Sequence, residues 1–379
     1  MSRQSLRIAT RGSTLARRQA ESVREELQRR RTEASLVEVS TRGDEIRDEL
    51  IHRLGRTGAF VRSLDEKILS GEVDAAVHSM KDMPTEMPEE LVVAGVPERA
   101  PSGDVLVTPD GRSIGELPAN ATVGTSSFRR TAQLLAARED LSVEPLRGNV
   151  DTRLEKLLAP SLQREHERRL DAESDGDGDA TSDGEGNAES GGKGNDDRFD
   201  RSVDEWFDSL SELERSALGR AVDTEYDAIV LAEAGLRRSG LYETVPTDRL
   251  DRTAFVPAPG QGAIAVTATD PDVVELIYDA IDHPPTRIGT TVERTILAEL
   301  GGGCIAPIGV DATLRGEFVR ARVQVLSLDG TERIETTRDL PATDYATAAV
   351  EFAEGLRTEG AAELIDRATD EIDEGDGDE

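Results

Sequence analysis

The sequence is poor in several residue types, and each scarcity excludes a class of protein. One of its 379 residues is cysteine, so it can form neither an internal disulfide framework nor a zinc site built from several cysteines. Four histidines leave little material for a histidine-rich metal site. No stretch approaches the about 18 apolar residues of a membrane span, and the N-terminus lacks the apolar core of a signal peptide. We therefore expect a cytoplasmic protein.

Lysine is also scarce. The chain has only Lys67, Lys81, Lys156 and Lys193 among its 45 basic residues, against 77 acidic ones, which gives a formal net charge of -32. Such a charge repels nucleic acids and anionic membrane surfaces. Because the acidic residues are spread along the chain, they favour adaptation to high salt, where counter-ions screen self-repulsion. A cationic partner is the alternative.

The chain is long enough for two to three domains. Short apolar strands run into polar turns that open helices, beginning at Leu6, Ala121, Val143 and Asp227. This alternation predicts an α/β fold with largely parallel sheets, followed after about residue 285 by a smaller α+β domain. Residues 171–200 hold 11 acidic residues and 7 glycines, a composition typical of an unfolded insertion. One helix over residues 203–217, anchored by its tryptophan, is predicted next.

The turns at the ends of these strands are rich in arginine and serine. Ligands of open α/β sheets bind beyond the carboxyl ends of the strands, and helix N-termini attract anions. Arginine is a poor helix cap because the dipole repels it, so its presence here indicates a ligand with several carboxylates or phosphates. Simple balancing of surface acids is the alternative. The residues concerned are Arg11, Ser13, Ser127, Arg129, Arg130, Arg147, Arg153 and Arg238.

Two further segments carry reactive side chains. A buried strand over residues 73–77 places Ser79, Lys81 and Asp82 at its carboxyl end, where Asp82 could exchange protons or stabilise a developing cation; a surface Lys–Asp pair is the alternative. In LGGGCIAPIG, the three glycines allow close approach of the backbone, and Cys304 is a candidate nucleophile or attachment point. An inert buried thiol is the alternative there.

A proline- and glycine-rich segment, FVPAPGQGAIAV, predicts a rigid crossover between domains. Its Gln261 would either touch ligand or satisfy backbone groups. Neither a dinucleotide-binding nor a P-loop motif occurs.

Nine motifs in this order resemble the porphobilinogen deaminase (hydroxymethylbilane synthase) family, over about residues 3–158 and 224–315. They are IATRGSTLA, TRGD, GAFVRSLDEKIL, DAAVHSMKDMP, GTSSFRR, LRGNVDTRL, YDAIVLAEAGLRR, PAPGQGA and ERTILAELGGGCIAPIG. The resemblance implies two lobes of the type 2 periplasmic-binding-protein fold plus a smaller C-terminal α+β domain. The domains would comprise residues 1–98 with 262–282, residues 102–256, and residues 285–370, before an acidic tail at 371–379. An insertion at about 159–223, unusual for the family, is expected to be dispensable for catalysis.

The family joins four porphobilinogen molecules head to tail, with loss of ammonia, on a dipyrromethane cofactor held by a cysteine thioether. The resemblance implies that Cys304 is this anchor and that Asp82 is catalytic, assisting ammonia loss. Phe60 and Gln261 match cleft residues, whereas Thr57 stands where many members have lysine. No metal, nucleic acid or membrane partner is implied, and a monomer is expected. The carboxylate-binding positions would be Arg11, Ser13, Ser79, Lys81, Thr125, Ser126, Ser127, Arg129, Arg130, Arg147, Arg153 and Arg238.

Two other classes of protein compete with this interpretation. A non-enzymatic anion-binding protein on the same two-lobed scaffold would explain the arginines, but not the glycine-flanked cysteine of a third domain. A structural acidic protein would explain neither.

Salt adaptation predicts that the unfolding temperature rises markedly from dilute buffer to molar KCl, because counter-ions screen the repulsion among the acidic residues. Thermal unfolding followed by circular dichroism at several KCl concentrations measures this. Equal stability in dilute buffer and in molar KCl would contradict the hypothesis.

Overall fold

A computed structural model describes residues 5–39, 59–177, 199–301, 303 and 306–375. The side chains of 59–62, 175–177 and 375 are not described. The described residues form three β-sheets. In the first sheet the order is β2-β1-β3-β10-β4, and only β10 runs antiparallel to its neighbours. Its strands are β1 (Leu6–Arg11), β2 (Ala34–Val39), β3 (Ala75–Ser79), β4 (Val92–Gly95) and β10 (Ile264–Ala268).

The second sheet repeats the topology of the first. Its order is β7-β6-β8-β5-β9, with three parallel strands followed by an antiparallel strand from another part of the chain. The repeat of one strand order in two sheets confirms the predicted pair of α/β lobes. The strands are β5 (Asp104–Val107), β6 (Thr122–Gly124), β7 (Ser142–Glu144), β8 (Ala228–Ala232) and β9 (Thr247–Arg249).

The third sheet is an antiparallel meander packed on helices, which confirms the smaller α+β unit. It contains β11 (Ile308–Arg315), β12 (Phe318–Leu326) and β13 (Arg333–Pro341). The helices are α1 (Thr14–Arg29), α2 (Ala59–Leu69), α3 (Phe128–Ala137), α4 (Val150–Asp177), α5 (Val203–Ser209), α6 (Glu212–Leu218), α7 (Glu233–Arg238), α8 (Pro271–Ile281), α9 (Pro284–Glu299), α10 (Tyr345–Thr358) and α11 (Ala361–Gly375). In addition, short 3-10 helices cover Met80–Asp82 and Ile114–Glu116.

Helices cover both faces of the lobe sheets, so the central strands are apolar on both sides. All four residues of β5 and the first four of β8 are buried. Ser13 caps α1 by accepting a hydrogen bond from the Ala16 N–H at 3.3 Å. That helix buries Ala20, Val23 and Leu27 against the first sheet. Each strand–turn–helix unit therefore fixes where its turn lies at the sheet edge.

The chain crosses between the two lobe sheets twice, once before β5 and once before β10. The crossovers touch where the Ala100 N–H donates to the Gly262 carbonyl at 3.2 Å. Gly262 has a φ of +84°, and a Cβ there would lie 2.5 Å from the Ala100 oxygen. Glycine is therefore required at this contact, which lies in the segment that the sequence predicts to be a rigid crossover.

Three expectations about the acidic regions need correction. Residues 171–177 are the end of α4, and the Glu173 side chain accepts a hydrogen bond from the Val203 N–H at 2.7 Å; residues 178–198 lie outside the described part. The single helix predicted over residues 203–217 is two helices, because Ser211 starts a new capping box. Residues 371–375 belong to α11, where Ile372 is buried, rather than to the acidic tail predicted to start at residue 371; residues 376–379 are not described.

Trp206 is an anchor, as predicted. It is buried and stacks on His166 of α4, with ring centroids 5.9 Å apart. Across the described residues, no helix combines the length and apolarity that crossing a bilayer requires.

Candidate active site

The candidate site begins at the carboxyl end of β3, where the chain makes one 3-10 turn. Met80 and Met83 are buried and fix this turn to the core of the first lobe. Between them, Lys81 and Asp82 remain accessible to solvent. Two apolar anchors thus hold an ammonium and a carboxylate at the edge of the sheet, as the sequence predicts.

The second lobe contributes a buried carboxylate that binds two predicted arginines. Arg129 and Arg130, in the first turn of α3, donate to the two oxygens of Asp104 at 2.8 and 2.7 Å. The same guanidinium groups also donate to the carbonyls of Val256 (2.8 Å) and Val230 (3.1 Å). Both arginines are therefore rigidly held at the strand ends of the second sheet.

Gln261 joins the crossover to this ion cluster. Its side-chain amide donates to the Ser102 carbonyl at 2.6 Å and to Asp104 Oδ1 at 2.9 Å. Burial alone would raise the pKa of Asp104, but the guanidinium groups of Arg129 and Arg130 outweigh burial and hold it well below its usual range. Asp104 is thus ionised at every physiological pH. The Gln261 side chain satisfies a backbone carbonyl and the Asp104 carboxylate.

Charges from both lobes meet around Lys81. The neighbouring Asp82 carboxylate is the largest influence on the pKa of Lys81 and raises it, but desolvation and the positive charges of Arg130 and Arg153 together lower it below its usual value. Lys81 is accessible to solvent and is nevertheless partly desolvated by the residues around it. The charges of Asp82, Arg130 and Arg153 therefore all act on the Lys81 ammonium.

Two more predicted arginines have perturbed pKa values. Burial and the charge of Arg130 lower the pKa of Arg153 to about 10, and burial alone lowers that of Arg238 to about 10. Their hydrogen bonds go to backbone carbonyls, from Arg153 Nε to Gly148 at 2.8 Å and from Arg238 to Gly262 at 2.7 Å. A bound carboxylate would stabilise both charges.

The remaining predicted residues occupy the same strand-end turns. Ser126 donates to the Leu146 carbonyl at 2.7 Å, and the Thr125 hydroxyl accepts from the Ser127 N–H at 3.3 Å. Arg11 and Ser79 end β1 and β3, and Arg147 follows β7. One placement differs from expectation: Arg238 ends α7 instead of opening it, because that helix begins immediately after β8.

Some predicted residues lie outside the described part of the chain. These are Cys304, the position Thr57 and the side chain of Phe60. The cysteine-containing connection itself starts where α9 ends and finishes at β11.

Sequence reasoning misses the acidic partners that organise the site. Asp104 and Glu293 are completely buried side chains, and each binds arginine. Glu293 pairs with Arg99 at 2.7 and 3.0 Å and accepts from the N–H groups of Gly260 (2.7 Å) and Ala312 (2.8 Å). An acidic residue at the start of the apolar run DVLV was the available signal for Asp104; no comparable signal marks Glu293.

The charges around Lys81 suit an anionic ligand. Lys81, Arg130 and Arg153 carry three positive charges, and of the two carboxylates that act on Lys81, Asp104 is already bound by Arg129 and Arg130. Guanidinium and ammonium groups of this kind bind carboxylates and phosphates. No group of three or more His, Cys, Asp or Glu side chains among the described residues is placed to hold a metal.

Comparison with known proteins decides the family. The porphobilinogen deaminase model for the dipyrromethane cofactor-binding domain matches residues 6–164 and 214–275, and the model for the C-terminal domain matches residues 288–358. The chain belongs to the porphobilinogen deaminase family. The activity of that family, condensation of porphobilinogen to hydroxymethylbilane by a transferase of tetrapyrrole biosynthesis, is therefore its activity.

Relatives match almost the whole chain. A probable porphobilinogen deaminase of Halobacterium salinarum is 53% identical, covering 98% of this chain and all of that protein. The porphobilinogen deaminase of Desulforudis audaxviator is 36% identical, covering 95% and 96%. The Halobacterium relative supports the salt-adapted origin that the composition predicts.

Solved structures give weaker matches. A methionine-binding protein is 11% identical with a TM-score of 0.35, covering 73% of this chain and 89% of its own. The aliphatic sulphonate binding protein of Escherichia coli is 13% identical with a TM-score of 0.30, covering 78% and 70%.

The Asp104 cluster predicts a large and specific loss of stability. In Asp104→Asn, two buried guanidinium groups lose their counter-charge, which lowers the free energy of unfolding by about 3–5 kcal/mol. Because the pKa of Asp104 is depressed, its stabilisation is present above the unfolded pKa of about 4 and is lost only as the pH falls through the folded value. Urea unfolding in high salt at neutral pH measures the loss. As a control, Asp339→Asn breaks the exposed pair with Arg320 and should leave the midpoint nearly unchanged; equal losses would contradict the prediction.

Proposed function

We propose that this chain performs the family reaction in the cleft between its lobes, with Asp82 as the catalytic carboxylate and Cys304 as the covalent anchor of the dipyrromethane. The observation that carries the proposal is that Asp82 and Lys81 lie at the carboxyl end of β3, and that the charges of Arg130 and Arg153 of the second lobe act on Lys81 together with that of Asp82. A carboxylate beside several fixed cations suits a substrate that is a polyanion and becomes a cation at its reacting end.

Substrate binding follows from the arginines. Porphobilinogen carries an acetate and a propionate group, so each added ring brings two carboxylates to the cleft. The guanidinium groups of Arg130, Arg153 and Arg238, all held by backbone carbonyls, offer planar donors for such groups. A growing chain therefore needs several arginines, and Lys81 adds a compact charge beside the catalytic carboxylate.

The chemistry assigned to Asp82 is electrostatic stabilisation and proton transfer. When ammonia leaves the aminomethyl carbon of porphobilinogen, it takes the electron pair of the broken C–N bond, and positive charge spreads over the pyrrole nitrogen. An ionised carboxylate facing that N–H stabilises the charge. After the new C–C bond forms, the attacked ring carbon loses a proton, which the same carboxylate can accept. The bound dipyrromethane supplies the terminal pyrrole carbon to which the first substrate is joined.

Cys304 is proposed as the anchor because the glycines before it allow the backbone close to a bulky group, and the matched family domain binds the dipyrromethane. The cysteine-containing connection continues α9, whose residues Glu293 and Arg294 contact the crossover and the Asp82 turn. An anchor on this connection would reach the cleft from its third side.

The finer organisation is also proposed. The three sheets are taken as the cores of domains at residues 1–98 with 262–282, 102–256, and 285–370, and the enzyme is taken to be a cytoplasmic monomer.

Asp82→Ala is expected to lower turnover of porphobilinogen by at least about 100-fold while folding and cofactor content stay normal, since the substituted carboxylate acts in the transition state. Product formation in high salt, with intact mass as the check on cofactor content, measures the effect. As a matched control, the exposed Asp110→Ala, paired to Arg112 away from the cleft, should keep full activity. Unchanged turnover in the Asp82 variant would overturn its role.

Intact mass under denaturing conditions tests the anchor. We expect a polypeptide heavier by one dipyrromethane, with further one-ring increments after porphobilinogen is added, and the bare mass in Cys304→Ser. A wild-type protein that gains no mass with either porphobilinogen or preformed hydroxymethylbilane would contradict a covalent anchor. A cofactor that persists in Cys304→Ser would move the attachment elsewhere.

A further inference from the structure

Helix α9 reaches across the domain boundary to the turn that presents Asp82. The Arg294 guanidinium donates to the carbonyls of Met83 at 3.1 Å and Pro84 at 2.6 Å, and lies 3.5 Å from that of Met80. These three carbonyls bracket Lys81 and Asp82 on both sides. One side chain of the third domain therefore forms hydrogen bonds to the backbone of the turn that carries Asp82.

We propose that Arg294 is a positioning residue for Asp82, which holds the turn at residues 80–84 so that the carboxylate keeps its direction toward the substrate. The proposal rests on the catalytic role given to Asp82 above. Arg294 acts through carbonyl oxygens, and no contact with substrate is assigned to it.

The turn needs such support because it is short. A single 3-10 turn, closed by the Met83 N–H to the Met80 carbonyl at 3.2 Å, gives little resistance to rotation about the backbone. Met80 and Met83 fix its buried side. From the crossover, Gly260 packs so closely that a Cβ there would lie 3.2 Å from the Lys81 nitrogen. The Met80 N–H donates to the Ala263 carbonyl at 3.1 Å, and Arg294 adds the contacts on the carbonyl side.

The position of Arg294 along α9 couples this turn to the other parts of the site. Its neighbour Glu293 accepts the Gly260 N–H at 2.7 Å, so adjacent residues of one helix hold the turn directly and through the crossover. The same helix ends at Glu299, where the connection containing Cys304 begins. Helix α9 thus fixes Asp82 relative to the start of the anchor segment, which a reaction between an anchored ring and an incoming ring requires.

Arg287 provides a matched control on the same helix. It also binds backbone carbonyls of the first lobe, those of Val93 and Ala94 at 3.2 Å, and it pairs with Asp282. Its hydrogen bonds go to the backbone of β4 and to Asp282, and none goes to residues 80–84. Removing either arginine weakens the contact between α9 and the first lobe, but only Arg294 touches the turn.

The test compares Arg294→Met with Arg287→Met as holoenzymes, in high salt, with cofactor content read from intact mass. For Arg294→Met we expect full cofactor content, a KM within about twofold of wild type and a kcat lowered about 10- to 100-fold, because a misplaced catalytic group loses rate without losing binding. Arg287→Met should lower the unfolding temperature comparably but keep kcat within about twofold. Arg294→Lys, which keeps the charge and part of the hydrogen bonding, should recover part of kcat.

A double variant separates this proposal from the role of Asp82. If Arg294 acts through Asp82, Arg294→Met should slow Asp82→Ala by less than about twofold. Full additivity, equal kcat losses in both arginine variants, or a rise in KM at unchanged kcat would each overturn the positioning role. If Arg294→Met does not fold, wild-type kcat in Arg294→Lys would overturn it, and a reduced kcat at normal KM would support it. Normal turnover of Asp82→Ala itself would instead refute the proposed function.

Discussion

The cleft depends on one buried carboxylate. Asp104 accepts hydrogen bonds from Arg129, Arg130 and the Gln261 side chain, and it is completely shielded from water. Two adjacent arginines could not be buried together without it, because each would have to be desolvated beside a like charge. Since Gln261 belongs to the crossover, the same carboxylate also sets the distance between that crossover and the arginine-bearing helix α3. Charge in the cleft and geometry of the lobes are therefore fixed by one interaction.

A second buried acid plays the corresponding part for the third domain. Glu293 of α9 binds Arg99 before β5, the Gly260 N–H of the other crossover and the Ala312 N–H of β11. Arg99 in turn donates from Nε to the Gln261 carbonyl at 2.8 Å, so the Asp104 and Glu293 clusters share the backbone and side chain of one glutamine. The result is a continuous polar network from the cleft to the third domain, in which every described link is buried or partly buried. Such a network holds the crossovers in one arrangement.

Much of this arrangement can be read from the sequence, for a physical reason. Strand, turn and helix are local, so the apolar runs locate the carboxyl ends of β1, β3, β6 and β8, and the arginines and Asp82 follow at those ends. Partners distant in the chain are not local. Asp104 lies 25 residues before Arg129, and Arg99 lies 194 before Glu293, so no spacing reveals either pair. The helix prediction over residues 203–217 fails for a different reason: its apolar spacing continues through Ser211, while the capping box there ends one helix and begins another.

The choice of arginine in the cleft agrees with the acid-rich exterior. A chain of net charge -32 has to attract an anionic substrate against its own field, and in molar salt the screening length falls to about 3 Å. Long-range attraction is then negligible, so recognition depends on contacts at hydrogen-bond distance. Guanidinium groups held by Asp104, Gly148 and Gly262 provide such contacts with fixed geometry, whereas a flexible ammonium would rely more on charge alone. Lys81 places a compact ammonium beside Asp82, whereas an arginine at this position would bind both oxygens of that carboxylate in a bidentate pair. High salt therefore accounts both for the acidic surface and for the use of arginine in the cleft.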